Sequence, residues 1–182
     1  MKVPFVGTET GSLMGSPWGY HPGNHEEPAF MTVVEIVKEL AVKAEALQVC
    51  VAIEGAYAHV VHEPKRLRRL LDLVASRNLK VIVDLFNYLH PANHQDHLAI
   101  LDSCLDLFQD EIVIYHLKDY RVDHGHLRQV ALGQGLMDYP AIIARIMAHT
   151  PTADLIFEGV TGSDIPTSHE YISNLIMKGA SS

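Results

Sequence analysis

Cysteine is scarce in this chain of 182 residues, which contains only Cys50 and Cys104. Both cysteines lie in apolar segments and no CxxC spacing occurs, so the sequence gives no sign of a disulfide framework. We therefore expect two buried thiols in a reducing compartment and predict a cytoplasmic location.

Long apolar runs and an excess of basic residues are also missing. No apolar run reaches the roughly 18 residues that a membrane-spanning helix needs, and the N-terminus has no basic head followed by an apolar stretch. We expect neither a membrane span nor a signal peptide. Lys and Arg together number 14 against 22 Asp and Glu, a formal net charge of -8. Nucleic-acid binding normally needs a basic face, so we predict that nucleic acid is not a partner.

Short apolar runs alternate with amphipathic stretches, a pattern that predicts five βα units in one domain spanning 1–182. The predicted strands are continuous and apolar, as expected of parallel strands buried on both faces. An open doubly wound sheet and a (β/α)8 barrel both fit the alternation, but the first βα turn carries no GxGxxG motif, which disfavours dinucleotide binding. Strands are predicted over 3–8, 49–53, 79–85, 111–117 and 154–157, and helices over 30–47, 64–76, 96–108, 139–149 and 168–177.

Four predicted strands end in a side chain that can bind a metal: Glu54, Asp84, His116 and Glu158. A single acidic residue after a strand is commonly a turn former or a helix cap. Four such residues in register on successive parallel strands instead indicate a shared site, because the carboxyl ends of barrel strands meet on one face. Three carboxylates and an imidazole suit Mn²⁺ or Mg²⁺ and would also accept Co²⁺ or Zn²⁺.

Six motifs follow one another along the chain: GTETGS (7–12), VAIEGAYAHVV (51–61), NLKVIVDLFNYL (78–89), YHLKD (115–119), LGQG (132–135) with Asp138 after it, and LIFEG (155–159). In this order they resemble the xylose isomerase-like superfamily of sugar phosphate isomerases and epimerases. The resemblance implies a (β/α)8 barrel whose metal is held by residues matching Glu54, Asp84, His116 and Glu158.

The same resemblance implies that the barrel is incomplete. The motif GTETGS resembles the end of the fourth family strand, so about three N-terminal βα units have no counterpart and five units correspond to the C-terminal part of the barrel. Such a sheet would expose two unpaired edges and an apolar face. We expect these surfaces to be covered by a second copy of the chain, a rearranged terminus or a partner, and we predict a homo-oligomer.

The function implied by the resemblance is metal-dependent isomerisation or epimerisation of a sugar or sugar phosphate through an enediolate. Glu54 and Glu158 would remove and return the carbon-bound proton, which two carboxylates flanking one carbon can do. Lys118 is open to two interpretations, neutralisation of a substrate phosphate or pairing with Asp119, and Asn87 is either a sugar ligand or an ordinary turn residue. The candidate substrate-binding residues are His59, Asn87, Lys118 and Glu9.

Three alternatives stay open on the sequence alone. An inosose-type dehydratase would use the same metal and the same enolisation and then expel a β-hydroxyl group. A nuclease acting at abasic DNA is disfavoured by the acidic balance, although a basic patch exists at 65–69. A catalytically inactive truncated fragment that dimerises is the third alternative.

Overall fold

Seven strands occur in a computed structural model of the chain, which describes residues 4–16 and 19–179. The strands are β1 (Phe5–Glu9), β2 (Cys50–Glu54), β3 (Leu79–Asp84), β4 (Ile112–Leu117), β5 (Asp119–Asp123), β6 (His126–Val130) and β7 (Asp154–Phe157). Five of them form one parallel sheet in the order β1, β2, β3, β4, β7, and β5 pairs with β6 in a separate antiparallel hairpin. The sheet has the shape of a half barrel, and no strand among the described residues pairs with the outer edge of β1 or β7.

Five α-helices connect or follow the strands of the sheet and pack on its outer face. Each connection between consecutive strands of the parallel sheet contains a helix, which makes these neighbouring strands parallel. Proline lies in the first turn of α1, α2 and α4, where its missing N–H group costs nothing, and the side chain of Asp138 caps α4 by accepting from the N–H of Ala141. The helices are α1 (Glu27–Leu47), α2 (Pro64–Val74), α3 (His97–Phe108), α4 (Tyr139–His149) and α5 (Asp164–Gly179).

The core lies between the outer face of the sheet and these helices. Ile53 and Val81 of the sheet are fully buried, as are Leu67 and Leu101 of the helices. The edge strands differ, because the side chains of Val6 in β1 and Ile156 in β7 are 52% and 42% exposed. The apolar faces of the helices therefore pack against the sheet, whereas Val6 and Ile156 of the edge strands lie exposed to solvent.

The five parallel βα units confirm the predicted elements, with shifted bounds. Helix α1 begins at Glu27 and α5 at Asp164, both earlier than predicted, and residue 3 of the first predicted strand lies outside the described residues. The hairpin β5–β6 was not predicted. Its strands are mostly polar and exposed, and its turn places His124 and Gly125 at positive φ (48° and 79°), as a tight hairpin turn requires.

No helix in the described part of the chain has the length and apolarity to cross a membrane. Neither Cys50 nor Cys104 forms a disulfide, and Cys104 is buried in the core. The prediction of a single domain over 1–182 stays a prediction.

A buried carboxylate organises the segment that follows the hairpin. Asp119 is fully buried and accepts hydrogen bonds from four backbone N–H groups, at 2.8 Å to 3.1 Å. A Cβ atom at Gly135 would overlap the carboxylate of Asp119 and the carbonyl oxygen of Tyr120, so glycine is required there. The LGQG motif is thus a loop wrapped around Asp119. The four donors are Tyr120, Gly133, Gly135 and Met137.

We predict that Asp119→Asn lowers the free energy of unfolding by about 2–3 kcal/mol, because the amide places N–H donors against backbone donors and removes charge-assisted hydrogen bonds. Urea unfolding followed by circular dichroism measures the change. The matched control is Asp123→Asn, whose carboxylate lies exposed on the hairpin. If the free energy of unfolding of Asp119→Asn differs from wild type no more than that of Asp123→Asn does, this role is contradicted.

Candidate metal centre

Four ionisable side chains meet at the carboxyl ends of the parallel strands. Glu54 and Asp84 are the last residues of β2 and β3, His116 is next to last in β4, and Glu158 directly follows β7. The strand register places Asp84 beside His116. Each of the four offers one ligand atom, and these atoms all lie within 4.8 Å of one another. The structure therefore brings together the whole predicted set.

The imidazole of His116 lies at the centre of this group. Its Nδ1 atom is 2.7 Å from Glu158 Oε2, 3.3 Å from Glu54 Oε2 and 3.8 Å from Asp84 Oδ2. One nitrogen cannot satisfy three carboxylates at once. The arrangement leaves more negative charge than the imidazole can balance.

Burial and mutual repulsion shift the protonation of the site. Burial raises the pKa of Asp84 to about 6, against the opposing effect of the Lys118 ammonium group. Burial acts to lower the pKa of His116, but the Glu54, Asp84 and Glu158 carboxylates outweigh it, so the pKa lies above its usual value. Burial, followed by the charges of Glu54 and Glu158, raises the pKa of Glu9 at the end of β1. Burial is the largest influence on all three groups, and the charges of the neighbouring carboxylates add to it for the two acids and oppose it for His116.

The chemistry of the donors fits a divalent metal ion. Asp84 Oδ2, His116 Nδ1 and Glu158 Oε2 are buried atoms whose close partners are one another and Lys118: His116 Nδ1 lies 2.7 Å from Glu158 Oε2, and Lys118 Nζ lies 2.8 Å from Asp84 Oδ2. Three carboxylates with one imidazole form an oxygen-rich set that suits Mn²⁺ or Mg²⁺. This group could hold one metal ion.

Asn87 and Lys118 lie against the four candidate ligands. The side chain of Asn87 donates to Glu54 Oε1 at 2.6 Å, and its backbone N–H donates to Asp84 Oδ1 at 3.1 Å. Lys118 Nζ lies 2.8 Å from Asp84 Oδ2, 3.0 Å from Glu158 Oε1 and 3.1 Å from Asn87 Oδ1. Both residues therefore hold ligand carboxylates in this structure. A direct contact of either with substrate stays a prediction.

Glu9 and His59 lie at the mouth of the same site. Glu9 is paired in register with Glu54 across β1 and β2. His59 is fully buried, and its Nε2 atom is 3.8 Å from Glu9 Oε2. Glu9, Glu54 and His116 border an open cavity of about 610 Å³ on the inner face of the sheet. Of the four predicted substrate residues, Glu9 lines this space, which is large enough for a small sugar.

One neighbour of the site was missed by sequence reasoning. Gln129 of the unpredicted hairpin donates from Nε2 to the backbone carbonyl of Glu158 at 3.4 Å. Gly159 follows at a positive φ of 73°, and a Cβ atom there would overlap the Gln129 side chain. The glycine of the LIFEG motif was the available signal, since it permits the hairpin to pack against the strand that carries Glu158.

Comparison with known proteins identifies relatives of the fold. A family model described as a xylose isomerase-like TIM barrel matches residues 10–173. Among solved structures, a xylose isomerase domain protein from Planctomyces limnophilus is 18% identical with a TM-score of 0.74, covering 98% of this chain and 60% of that protein. No curated protein matches the chain.

Two further solved structures are similar at the same level. A xylose isomerase-like TIM barrel protein from Mycobacterium smegmatis, solved in complex with magnesium, is 16% identical with a TM-score of 0.69, covering 96% of this chain and 61% of that one. A D-tagatose 3-epimerase-like protein is 13% identical with a TM-score of 0.71, covering 97% and 63%. A zinc-binding IolI protein and the mannonate dehydratase of Streptococcus suis are also among the matches.

The chain spans about 60% of the length of the first of these structures. Its five parallel βα units are therefore an incomplete (β/α)8 barrel, as predicted. At these identities the structural likeness establishes the fold.

We predict that Mn²⁺ stabilises the protein by about 2.7 kcal/mol when its concentration is 100 times the dissociation constant, because a ligand of the folded state alone stabilises by mass action. Asp84→Asn should abolish most of this shift by removing a buried ligand oxygen. Urea unfolding with and without Mn²⁺ measures both. The control is Asp102→Asn, a carboxylate paired with Arg145 on the helical surface. An equal Mn²⁺ effect in Asp84→Asn and wild type would rule out Asp84 as a ligand.

Proposed function

Because the chain belongs to the xylose isomerase-like TIM barrel family, we propose that it is a divalent-metal-dependent isomerase or epimerase of a small sugar or sugar phosphate. The observation that carries the proposal is the cluster of Glu54, Asp84, His116 and Glu158, whose ligand atoms lie within 4.8 Å of one another. An open cavity adjoins this cluster and leaves room for the substrate.

The proposed reaction uses one carboxylate as base and one carboxylic acid as acid. When bound, a divalent cation would supply Lewis acidity, which acidifies the carbon-bound proton next to the substrate carbonyl. Of Glu54 and Glu158, the ionised one takes this proton and becomes a carboxylic acid, and the electron pair of the broken C–H bond forms an enediolate. The other, protonated at the start, donates its proton to carbon and becomes a carboxylate. Glu54 belongs to β2 and Glu158 follows β7, so the two approach from opposite sides of β3 and β4.

The remaining members of the cluster bind and orient. Asp84 and His116 are proposed to act mainly as metal ligands, Asp84 from a fully buried position and His116 from the centre of the group. Glu9, His59 and Asn87 are proposed to contact the hydroxyl groups of the substrate. Their support is position, since all three border the cluster or its mouth. The sequence-based assignment of Lys118 to the substrate is less well supported, because its ammonium group is buried against Asp84 and Glu158.

Mn²⁺ or Mg²⁺ is the proposed metal, with Co²⁺ or Zn²⁺ as acceptable substitutes. Three oxygen ligands to one nitrogen favour the harder cations. The similar structures include one with magnesium and one with zinc. A cytoplasmic location stays a prediction that rests on the two thiols.

A dehydratase on the same scaffold is the second candidate function. The specific observation in its favour is the match to a mannonate dehydratase, 17% identical with a TM-score of 0.67. Enolisation by the same carboxylates would be followed by loss of a β-hydroxyl group. Product analysis after incubation with a panel of ketoses and inososes separates the two, because only dehydration changes the mass of the product.

The geometry gives the nuclease alternative little support. In the basic patch at 65–69, Arg69 pairs with Glu27, and Arg68 pairs with Asp72 at 2.8 Å and with Glu111. Acidic partners therefore neutralise much of the patch that would have to attract phosphates.

We predict that Glu158→Gln slows exchange of the carbon-bound proton by about 10²–10⁴-fold, the usual contribution of a general acid or base. Deuterium incorporation from D₂O into a panel of ketoses, followed by NMR with Mn²⁺ present, measures the rate. Asp102→Asn is the matched control. Exchange at the wild-type rate in folded Glu158→Gln protein would remove Glu158 from the chemistry.

Self-association is proposed to cover the open edges of the half barrel. Val6 and Ile156 expose apolar surface on the two edge strands, β1 and β7, whose outer backbone groups have no strand partner among the described residues. Light scattering coupled to size-exclusion chromatography should report a dimer or a larger homo-oligomer. Val6→Lys should shift the population toward monomer, with the surface change Val42→Lys on α1 as control. Wild-type protein that stays monomeric at micromolar concentration would contradict this proposal.

A further inference from the structure

Lys118 contributes the buried positive charge of the acidic cluster. It is 6% exposed at the end of β4, and its Nζ atom contacts Asp84 Oδ2 and Glu158 Oε1 at 2.8 Å and 3.0 Å. Asn87 Oδ1 lies 3.1 Å away, and the Phe86 ring lies below the ammonium group at 5.9 Å. A buried, fixed ammonium group bridging two candidate metal ligands is poorly placed to act as a mobile phosphate clamp.

We infer that Lys118 is a positioning residue that acts as an internal counter-cation of the metal centre. It holds Asp84 and Glu158 in place before metal binds, and it lowers the affinity of the finished site for cations. The inference rests on the proposed metal centre and assigns a function to a residue adjoining it. Lys118 would therefore stabilise the metal-free protein and weaken its affinity for metal, two effects that a purely structural residue would not combine.

The charge balance supports this assignment. Glu54, Asp84 and Glu158 carry three negative charges when ionised, and Lys118 carries one positive charge. The difference, three minus one, leaves two negative charges, which a single divalent cation neutralises. Without Lys118 the same site would carry three negative charges, and both its internal repulsion and its attraction for cations would rise.

The geometry predicts which effect dominates when Lys118 is replaced. Asp84 and Glu54 are each held independently by Asn87, through its backbone N–H and its side-chain amide. The Glu158 backbone is held by Gln129, and its N–H donates to the Leu117 carbonyl at 3.2 Å. The candidate ligands therefore stay close together without Lys118. Removing the repulsion between the Lys118 ammonium group and a bound cation should then raise cation affinity by more than the poorer positioning of the ligands lowers it.

The test is Lys118→Met, which keeps the length of the side chain and removes its charge. We expect a lower midpoint of thermal unfolding without metal and Mn²⁺ affinity roughly tenfold or more above wild type. Affinity is measured by calorimetric titration of the full chain. Lys118→Arg should keep wild-type affinity, and Lys38→Met, an exposed lysine paired with Glu35 on α1, should change neither quantity. Lys118→Gln replaces Lys118→Met if the latter does not fold.

A trivalent probe makes the electrostatic origin visible. Because Coulomb energy scales with charge, Lys118→Met should improve Tb³⁺ binding by a larger factor than Mn²⁺ binding. Mn²⁺ affinity in Lys118→Met that equals or falls below wild type, or equal gains for the two ions, overturns the inference and leaves the metal centre standing. Wild-type protein that binds no Mn²⁺ overturns the proposed metal centre and this inference together.

Discussion

Repulsion among three carboxylates at one end of a parallel sheet is the constraint on which this structure depends. Strand register brings Glu54, Asp84 and Glu158 together, and like charges at such separations cannot all remain ionised without compensation. His116 and Lys118 supply part of the compensation from β4 and directly after it. Burial, more than the charge of Glu54, raises the pKa of Asp84, so ionising this carboxylate inside the protein is costly. A bound divalent cation would complete the balance.

Hydrogen bonds from the neighbouring loop and hairpin hold the backbone beside the mutually repelling carboxylates in place. Asp119, next to Lys118, accepts hydrogen bonds from the backbone N–H groups of Gly133 and Gly135 in the LGQG loop and of Met137 just after it, and the hydroxyl group of Tyr139 donates to the carbonyl of Lys118 at 2.8 Å. On the other side, the hairpin β5–β6 contacts the backbone of Glu158 through Gln129. Lys118 and Asp119, directly after β4, therefore link the candidate metal site to the hydrogen bonds that order the neighbouring loop.

The sequence predicted the elements and the convergence of the four candidate ligands because both are locally encoded. Continuous apolar strands and helical periodicity mark the βα units, and each of the four candidate ligands lies at or within one residue of the end of its strand. The contacts of Lys118 and Asn87 could not be predicted, because they depend on the distance between residues of three different strands and loops. Asp119 was considered only as an ion-pair partner, since the sequence does not reveal that a loop more than ten residues away encloses it. The hairpin was missed because its polar strands lack an apolar alternation.

Anomalous diffraction from crystals grown with Mn²⁺ tests the central claim most directly. The account predicts one anomalous peak in contact with Glu54, Asp84, His116 and Glu158 at about 2–2.5 Å from each ligand atom, the range of metal–ligand distances in proteins. At saturating Mn²⁺, the absence of a peak among the four side chains, with their mutual contacts unchanged, would contradict the claim that they bind one metal ion.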